Sequence, residues 1–348
     1  MQGTNSTPAP TGSLPPVARR SGGRLGVGTA LGAVAIVIAL IAVALSLVVP
    51  GPSGSAGSQG PPSSGYLWAV VSSGGALTRG SGALSASLIA KGEYQVTFDQ
   101  DVSSCAYVAT VGTIYQSGSE PYAGIAVSTS PGESAAVVAA VTDFTGAAIN
   151  ASFHLTVICG GAPWAVVSSG GSLVRGPETV LAHENTTGVY TVVFNQNVED
   201  CGILATLGST GSTPVAAGEI TAAPEANTPD GVQIATYTPA GVAVSESFHV
   251  VAVCTGPTWA VIGSTGVAVR GNLASSSEIS GGVYQVVFDQ NIENCAFVAT
   301  TGETGTGAYP ASLVTEAGKA GNVDAVFLTT YTPGGGSASE AFTLAVFC

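Results

Sequence analysis

The chain has 348 residues, of which 45% are hydrophobic and 8% charged, with a formal net charge of −13 and a mean hydropathy of +0.44. So few charges exclude a highly charged disordered protein and a coiled coil rich in Glu, Lys and Leu. Three of the eight basic residues precede residue 25, whereas all 21 acidic residues follow residue 67, so the remainder carries −16. That charge repels phosphate backbones and excludes a nucleic-acid partner.

The N-terminal region predicts a membrane anchor. Residues 25–49 are an uncharged apolar run, and a helix of that length spans ~37 Å, enough to cross a hydrocarbon core of ~30 Å. Because the preceding arginines favour the cytoplasmic side, residues 1–24 are expected to be a disordered cytoplasmic tail. Residues 50–66 are a Pro/Gly/Ser linker to an extracellular body. The alternative, a cleaved signal peptide, usually has an apolar core of only ~7–15 residues.

From Trp68 onwards the sequence repeats three times. A Trp-Ala-Val-[Val/Ile] motif recurs at Trp164 and Trp259. Each copy continues with an Arg-Gly pair, a Gly-x-Tyr-x-Val-x-Phe segment, a Cys-[Ala/Gly]-x-[Val/Leu]-Ala-Thr segment and a final Phe-x-x-x-x-x-Cys. Such agreement in order and spacing indicates three copies of one structural unit. The predicted units are residues 67–159, 164–254 and 259–348.

The repeated segments have the periodicity of strands. Tyr94, Val96 and Phe98 alternate with polar neighbours, which is typical of a half-buried strand. Short strands separated by Gly-rich turns, without helical connections, predict an all-β fold: three tandem antiparallel β-sandwich domains, Ig-like or jelly-roll-like, after one N-terminal transmembrane helix. Since only four residues separate consecutive units, we expect a semi-rigid row of three domains.

The six cysteines predict one disulfide in each unit. They allow fifteen pairings, but only one of these keeps the three units equivalent. Each bond would contribute ~4 kcal/mol in the chain-entropy model, and the predicted extracellular location is where such bonds persist. There is no Cys-x-x-Cys motif, so no metal site is expected. The predicted pairs are Cys105–Cys159, Cys201–Cys254 and Cys295–Cys348.

The sequence contains no recognised catalytic constellation. Its three histidines are His154, His183 and His249. His154 and His249 occupy the same position of a strand, facing away from its predicted buried side, so both are expected to be exposed. There is no nucleophile elbow, phosphate-binding loop or His-Glu-x-x-His motif. We therefore expect neither an enzyme nor a cofactor.

Two repeated polar features are candidates for ligand binding. The segment Phe-[Asp/Asn]-Gln-[Asp/Asn] offers oxygen ligands that suit Ca²⁺, but one unit has two carboxylates there and another has none, which favours turn capping. The arginines of the Arg-Gly pairs could bind a carboxylate or a glycan. The favoured alternative is structural: pairing with an acidic residue of the same unit or stacking over an aromatic ring. These candidates are Arg79, Arg175 and Arg270.

The tryptophans of the three units are a third repeated feature. They could form a row that stacks on sugars, but a tryptophan flanked by Ala-Val-Val is typical of a core.

The series of repeated motifs resembles the β-repeats of uncharacterised exported proteins of high-GC bacteria, over residues 68–348. The resemblance implies a secreted or surface β-domain and brings no activity. We expect a single-pass, membrane-anchored cell-surface protein with a structural or adhesive role and a cell-wall or protein partner. A carbohydrate- or peptide-binding receptor module is the first alternative, and an extracellular enzyme with an unrecognised site is the second. The oligomeric state stays open, with a trimer as one arrangement if the units are jelly rolls.

Overall fold

A computed structural model describes residues 58–59, 66–114, 121–306 and 310–348. The predicted tail and the predicted transmembrane segment, residues 25–49, lie outside these residues. Within the described ranges, no helix is long and apolar enough to cross a membrane. The same residues form strands joined by turns and bends, which confirms the prediction of an all-β fold.

The strands follow the sequence repeats. A short strand, β1 (Ser58–Gln59), precedes the first repeat. Repeat 1 contains β2 (Tyr66–Val71), β3 (Leu77–Ser81), β4 (Ala83–Ala90), β5 (Glu93–Phe98), β6 (Ala106–Val111), β7 (Ala123–Ser130), β8 (Glu133–Asp143) and β9 (Phe153–Ile158). Repeat 2 contains β10 (Trp164–Val167), β11 (Leu173–Arg175), β12 (Thr179–Thr186), β13 (Val189–Phe194), β14 (Gly202–Gly208), β15 (Glu219–Pro224), β16 (Gly231–Tyr237) and β17 (Phe248–Val253). Repeat 3 contains β18 (Thr258–Ile262), β19 (Ala268–Gly271), β20 (Ser275–Ser280), β21 (Val283–Val287), β22 (Ala296–Thr301), β23 (Leu313–Gly318), β24 (Ala325–Tyr331) and β25 (Phe342–Phe347).

Each repeat is built from two antiparallel layers. In repeat 1 the first layer has the order β3-β2-β9-β6 and the second β4-β5-β8-β7, and the other two repeats follow the same order. The alternation predicted for β5 is confirmed, because Tyr94, Val96 and Phe98 are buried while their neighbours Gln95 and Thr97 are partly exposed. These side chains pack against the first layer, with the Tyr94 ring 5.1 Å from that of Phe153. One apolar core therefore joins the two layers of the repeat.

The repeats do not form the expected row. Parallel pairing joins β14 of repeat 2 to β7 of repeat 1, and β15 of repeat 2 to β22 of repeat 3. A further parallel bridge joins Gly112 of repeat 1 to Glu316 of repeat 3. Each repeat thus contacts both others in cyclic order, within the single compact unit Ser53–Cys348. The expectation of a row was wrong because the outer faces of the first layers are apolar and pack onto one another.

A central core explains why the ring closes. The outer faces of the three first layers share one apolar cluster, to which each repeat contributes its tryptophan. Trp68, Trp164 and Trp259 are all buried there, which confirms that they belong to a core. Strands β6, β9 and their counterparts are consequently buried on both faces.

The two ends of the ring differ. We call the end at which the linkers between repeats lie the linker end. There the Tyr66 hydroxyl donates a hydrogen bond of 3.4 Å to the carbonyl of Gly161, in the linker between repeats 1 and 2. The disulfides Cys105–Cys159, Cys201–Cys254 and Cys295–Cys348 lie where β6, β14 and β22 begin. These are the pairs expected from the sequence. Strands β6, β14 and β22 run away from the linkers. The loops that follow these strands therefore lie at the opposite end, which we call the loop end.

Candidate functional site at the seams between repeats

The repeated polar residues meet where one repeat contacts the next. We call these interfaces seams and label each one by its two repeats. The repeat that supplies the arginine is given first, so the seams are 2/1, 3/2 and 1/3. The arginine and threonine contacts occur in all three seams, and the histidine contacts occur in two of them. Since the supplying surface differs from the accepting surface, each seam is a heterologous interface.

The three arginines cross the seams. Nε of each donates to the carbonyl of the first cysteine of the neighbouring repeat, at 3.1–3.3 Å, and Nη1 donates to a loop carbonyl of its own repeat, at 2.8–2.9 Å. The neighbouring carbonyls belong to Cys295, Cys105 and Cys201 for Arg79, Arg175 and Arg270 respectively. Their acceptors are main-chain carbonyls rather than the expected acidic side chains. Burial lowers the pKa of Arg79 to about 10.

The expectation that His154 and His249 are exposed was wrong, because the strand face that points away from the sandwich core is buried in a seam. Both side chains have no exposed surface. Nδ1 of His249 accepts the Tyr107 N–H at 2.9 Å, and Nε2 lies 3.0 Å from the Ser209 carbonyl. Since Nδ1 accepts, Nε2 carries the proton and donates. Burial lowers the pKa of His249 to about 3, so the ring is neutral.

His154 occupies the equivalent place in seam 1/3. Its Nδ1 accepts the Phe297 N–H at 2.8 Å, and its Nε2 lies 3.0 Å from the Thr113 carbonyl. Burial, followed by the charge of Arg79, lowers the pKa of His154 to about 3. In seam 3/2 the corresponding residue is the buried Thr343, which faces Gly202.

Threonines complete each seam near its loop end. The Thr206 hydroxyl of repeat 2 accepts the Ala109 N–H of repeat 1 at 2.8 Å and donates to the carbonyl of the same residue at 3.2 Å. Thr300 and Thr110 make the same pair of bonds with Ala205 and Ala299. They satisfy main-chain groups that the edge strands would otherwise leave unpaired in the interior.

These threonines line a cavity where the three repeats meet. Its volume is about 30 Å³, which is room for roughly one water molecule. It is therefore too small for an organic substrate. A larger open depression, of about 280 Å³, lies in repeat 3 between Asn272 and the Asp289–Gln290 turn.

Glu316 makes seam 1/3 different from the others. Its carboxyl group has no exposed surface, and Oε1 lies 3.2 Å from Nδ1 of His154. Because that nitrogen accepts the Phe297 N–H, it has no proton to donate to the carboxylate. Neither carboxyl oxygen has a hydrogen-bond partner among the described residues. Burial raises the pKa of Glu316, against the opposing effect of Arg79, so the contact is not an ion pair.

The strand register shows what replaces Glu316 elsewhere. Val127 pairs with Gly208 in seam 2/1, as Glu316 pairs with Gly112 in seam 1/3. In seam 3/2 the position facing Gly302 is taken by Ala222. Two seams thus bury an apolar side chain at the place where the third buries a carboxyl group.

A second buried carboxyl group lies at the loop end. The Tyr122 hydroxyl donates to Oε1 of Glu219 at 2.5 Å, and burial raises the pKa of Glu219 to about 7. The Tyr122 ring lies 5.2 Å from that of Tyr331 and 6.2 Å from that of Phe144. All three repeats contribute to this group, which we call the loop-end aromatic cluster.

Sequence reasoning missed these carboxyl groups because neither Glu219 nor Glu316 repeats in register. The available signal was local: each is a lone acidic residue in an apolar strand, Glu-Ile-Thr-Ala-Ala and Leu-Val-Thr-Glu-Ala. A charge in such a segment indicates a buried polar group with a special environment.

In each Phe-[Asp/Asn]-Gln-[Asp/Asn] segment the last residue caps a turn. Oδ1 of Asp101 accepts the Ser103 N–H at 2.9 Å. Oδ1 of Asn197 and Oδ1 of Asn291 each accept the N–H of the residue two positions later, also at 2.9 Å. In the part of the chain that the structure describes, no three His, Cys, Asp or Glu side chains are grouped as a metal site would require.

No protein-family model matches this chain, and no curated protein or solved structure is significantly similar to it. Its function must therefore be argued from the geometry of the repeats.

Proposed function

We propose that the chain is a membrane-anchored cell-surface β-repeat protein with a structural or adhesive role and no catalytic activity. The use of the repeated arginines, histidines and threonines in the seams carries this proposal. Nε and Nη1 of the arginines, the ring nitrogens of the histidines and the hydroxyl groups of the threonines bond to main-chain groups of the protein itself, so these atoms are not free to bind a small molecule. The repeats therefore serve to build a rigid body.

The three disulfides support an extracellular location, because such bonds persist outside the reducing cytoplasm. The apolar run at residues 25–49, preceded by arginines, supplies the anchor. A partner would then be met by the outer surface of the ring.

The second layers offer a surface for adhesion. Strands β4, β12 and β20 are the outer edges of their sheets. They expose large apolar side chains, among them Leu84, Ile89 and Ile279, and Val180 is 65% exposed. An edge strand with exposed apolar side chains can accept a strand from another protein. We therefore assign adhesion to these edges.

Pull-down with full-length protein against cell-wall fractions and secreted proteins tests this assignment. Val180→Lys, on the edge of β12, should weaken capture of a partner about tenfold. The matched control is Val242→Lys, since Val242 is 62% exposed but lies in a turn at the loop end. Equal binding by both variants contradicts the edge assignment. Hydrolase activity that a single substitution abolishes contradicts the whole proposal.

The loop-end aromatic cluster favours carbohydrate binding as a second candidate function. Phe144 is 49% exposed beside Tyr122, whose hydroxyl group is fixed by Glu219. An exposed aromatic face can stack on a sugar ring. A glycan array should then show binding that Phe144→Ala removes and Val180→Lys leaves unchanged. An array without binding leaves the edge-strand proposal as the only one.

A further inference from the structure

The seams repeat one interface, but the chain supports them unequally. Linkers at residues 160–163 and 255–257 connect the repeats of seams 2/1 and 3/2 directly. Seam 1/3 joins residues that are far apart in sequence: Arg79 bonds to Cys295, 216 residues away, and Thr110 bonds to Ala299, 189 residues away. Its closure therefore depends on non-covalent contacts alone.

Seam 1/3 also buries a carboxyl group that the other two seams lack. Both oxygens of Glu316 are buried without a hydrogen-bond partner in the described part of the chain, and His154 and Arg79 are the charged or titratable groups that face it. A buried polar group without a partner destabilises the folded arrangement. The other two seams have Val127 or Ala222 at this position and avoid that penalty.

Both linkers contain glycines in a left-handed conformation. Gly161 and Gly256 have positive φ angles of 83° and 95°, a conformation that glycine adopts without strain. A Cβ built on Gly160 or Gly161 would meet no atom within 4 Å. Ala162 of the same linker is buried in the central core and Pro163 is buried as well, so repeats can move about these glycines only after that core opens.

We propose that seam 1/3 opens and closes again between two copies of the chain, so that its two faces form an interaction site for a second copy. An opened chain exposes the supplying face of repeat 1, with Arg79 and His154, and the accepting face of repeat 3, with Phe297. Because the interface is heterologous, each face fits the complementary face of another copy, and two opened chains close with two identical seams. Such a dimer uses only the two faces that already form seam 1/3 within one chain.

Hydrogen exchange on the full-length protein in detergent micelles tests the opening step. The seams provide matched amides: Phe297 and Ala299 in seam 1/3, and Tyr107 and Ala109 in seam 2/1. If seam 1/3 opens first, the first pair should exchange about tenfold faster than the second. Equal protection of the two pairs would overturn the proposal.

Mixing two differently tagged pools tests the exchange between copies. The pools are incubated together just below the unfolding midpoint, cooled and purified through both tags. We expect mixed dimers that persist on dilution, because separation requires the seams to reopen. Glu316→Val, which gives seam 1/3 the residue of seam 2/1, should lower their yield about tenfold, whereas the exposed Glu303→Val should not change it.

Three outcomes of the mixing experiment contradict the proposal: no mixed dimers from the unmodified chain, dimers that separate at once on dilution, or equal yields with Glu316→Val. If that variant fails to fold, the exchange rates of the unmodified chain still decide whether seam 1/3 opens first.

Discussion

Through its two ring nitrogens, each buried histidine joins a strand of the neighbouring repeat to a loop of its own repeat. His249 accepts from Tyr107 and donates to Ser209, and His154 does the same between Phe297 and Thr113. A proton added to Nδ1 would remove the acceptor and place a charge in a dry interface. The seams therefore require neutral rings, and protonation must oppose folding.

Acid should accordingly destabilise the protein through these residues. The folded-state pKa of about 3 lies below the ordinary value of 6.5, so the unfolded chain binds more protons between these pH values. Stability is complete above pH 6.5 and declines as the pH falls, by about 3 kcal/mol per histidine at pH 4. Unfolding midpoints measured from pH 8 to pH 4 check this. His249→Thr, which introduces the residue that seam 3/2 has at Thr343, should flatten the dependence, and an unchanged slope would contradict it.

Glu219 predicts a dependence of the opposite sign. Its pKa is raised from 4.5 to about 7 in the folded state, so its contribution is complete below pH 4.5 and is lost as the pH rises through 7. Glu219→Gln should remove this loss, because the amide keeps an oxygen that accepts from Tyr122 and does not ionise. Stability at pH 5 and pH 8 is compared with that of Glu199→Gln, an exposed control. If both variants lose the same stability between pH 5 and pH 8, groups other than Glu219 cause the loss.

At the scale of the strand, the sequence predicts side-chain burial correctly where only one face of a strand is buried, and fails where both faces are. Alternation predicted β5 correctly, because one face of that strand meets the sandwich core. It misplaced His154 because β9 is buried on its other face as well, by a different repeat. The continuous apolar run of β6, Ala-Tyr-Val-Ala-Thr-Val, does signal two-sided burial. Which repeat covers that face has no local signal, since the partners of Thr110 and Arg79 are 189 and 216 residues away.

Close approach between strands of different repeats explains an equivalent set of glycines. A Cβ on Gly302 would lie 1.7 Å from the Ala222 carbonyl oxygen, and one on Gly208 would lie 2.8 Å from that of Val127. Gly302→Ala should therefore force seam 3/2 apart and destabilise the protein by about 3 kcal/mol. Gly305→Ala is the control, because a Cβ there meets nothing within 4 Å. Thermal unfolding distinguishes them, and similar midpoints would contradict the close approach.

At the scale of the whole described body, the cyclic order of the seams changes how three similar units gain stability. The sequence reveals the number of repeats, their strands and their cysteine pairs, because these are properties of one unit. Closure of the ring depends on contacts among all three repeats. Each repeat supplies one seam and accepts another, and all three bury their tryptophans in the central core. In a row, the first and last repeats would each lack one of these interfaces.

This arrangement predicts that the repeats unfold together. Loss of any repeat removes two of the three seams and exposes the central core, so the remaining repeats should lose their stability with it. A chain ending at Cys254 would expose Trp68 and Trp164, which the core buries, and its unfolding midpoint should fall well below that of the full-length protein. Scanning calorimetry of the full-length protein should give one transition with equal calorimetric and van't Hoff enthalpies. Three resolved transitions, or a shortened chain with an unchanged midpoint, would mean that the repeats are stable as separate domains.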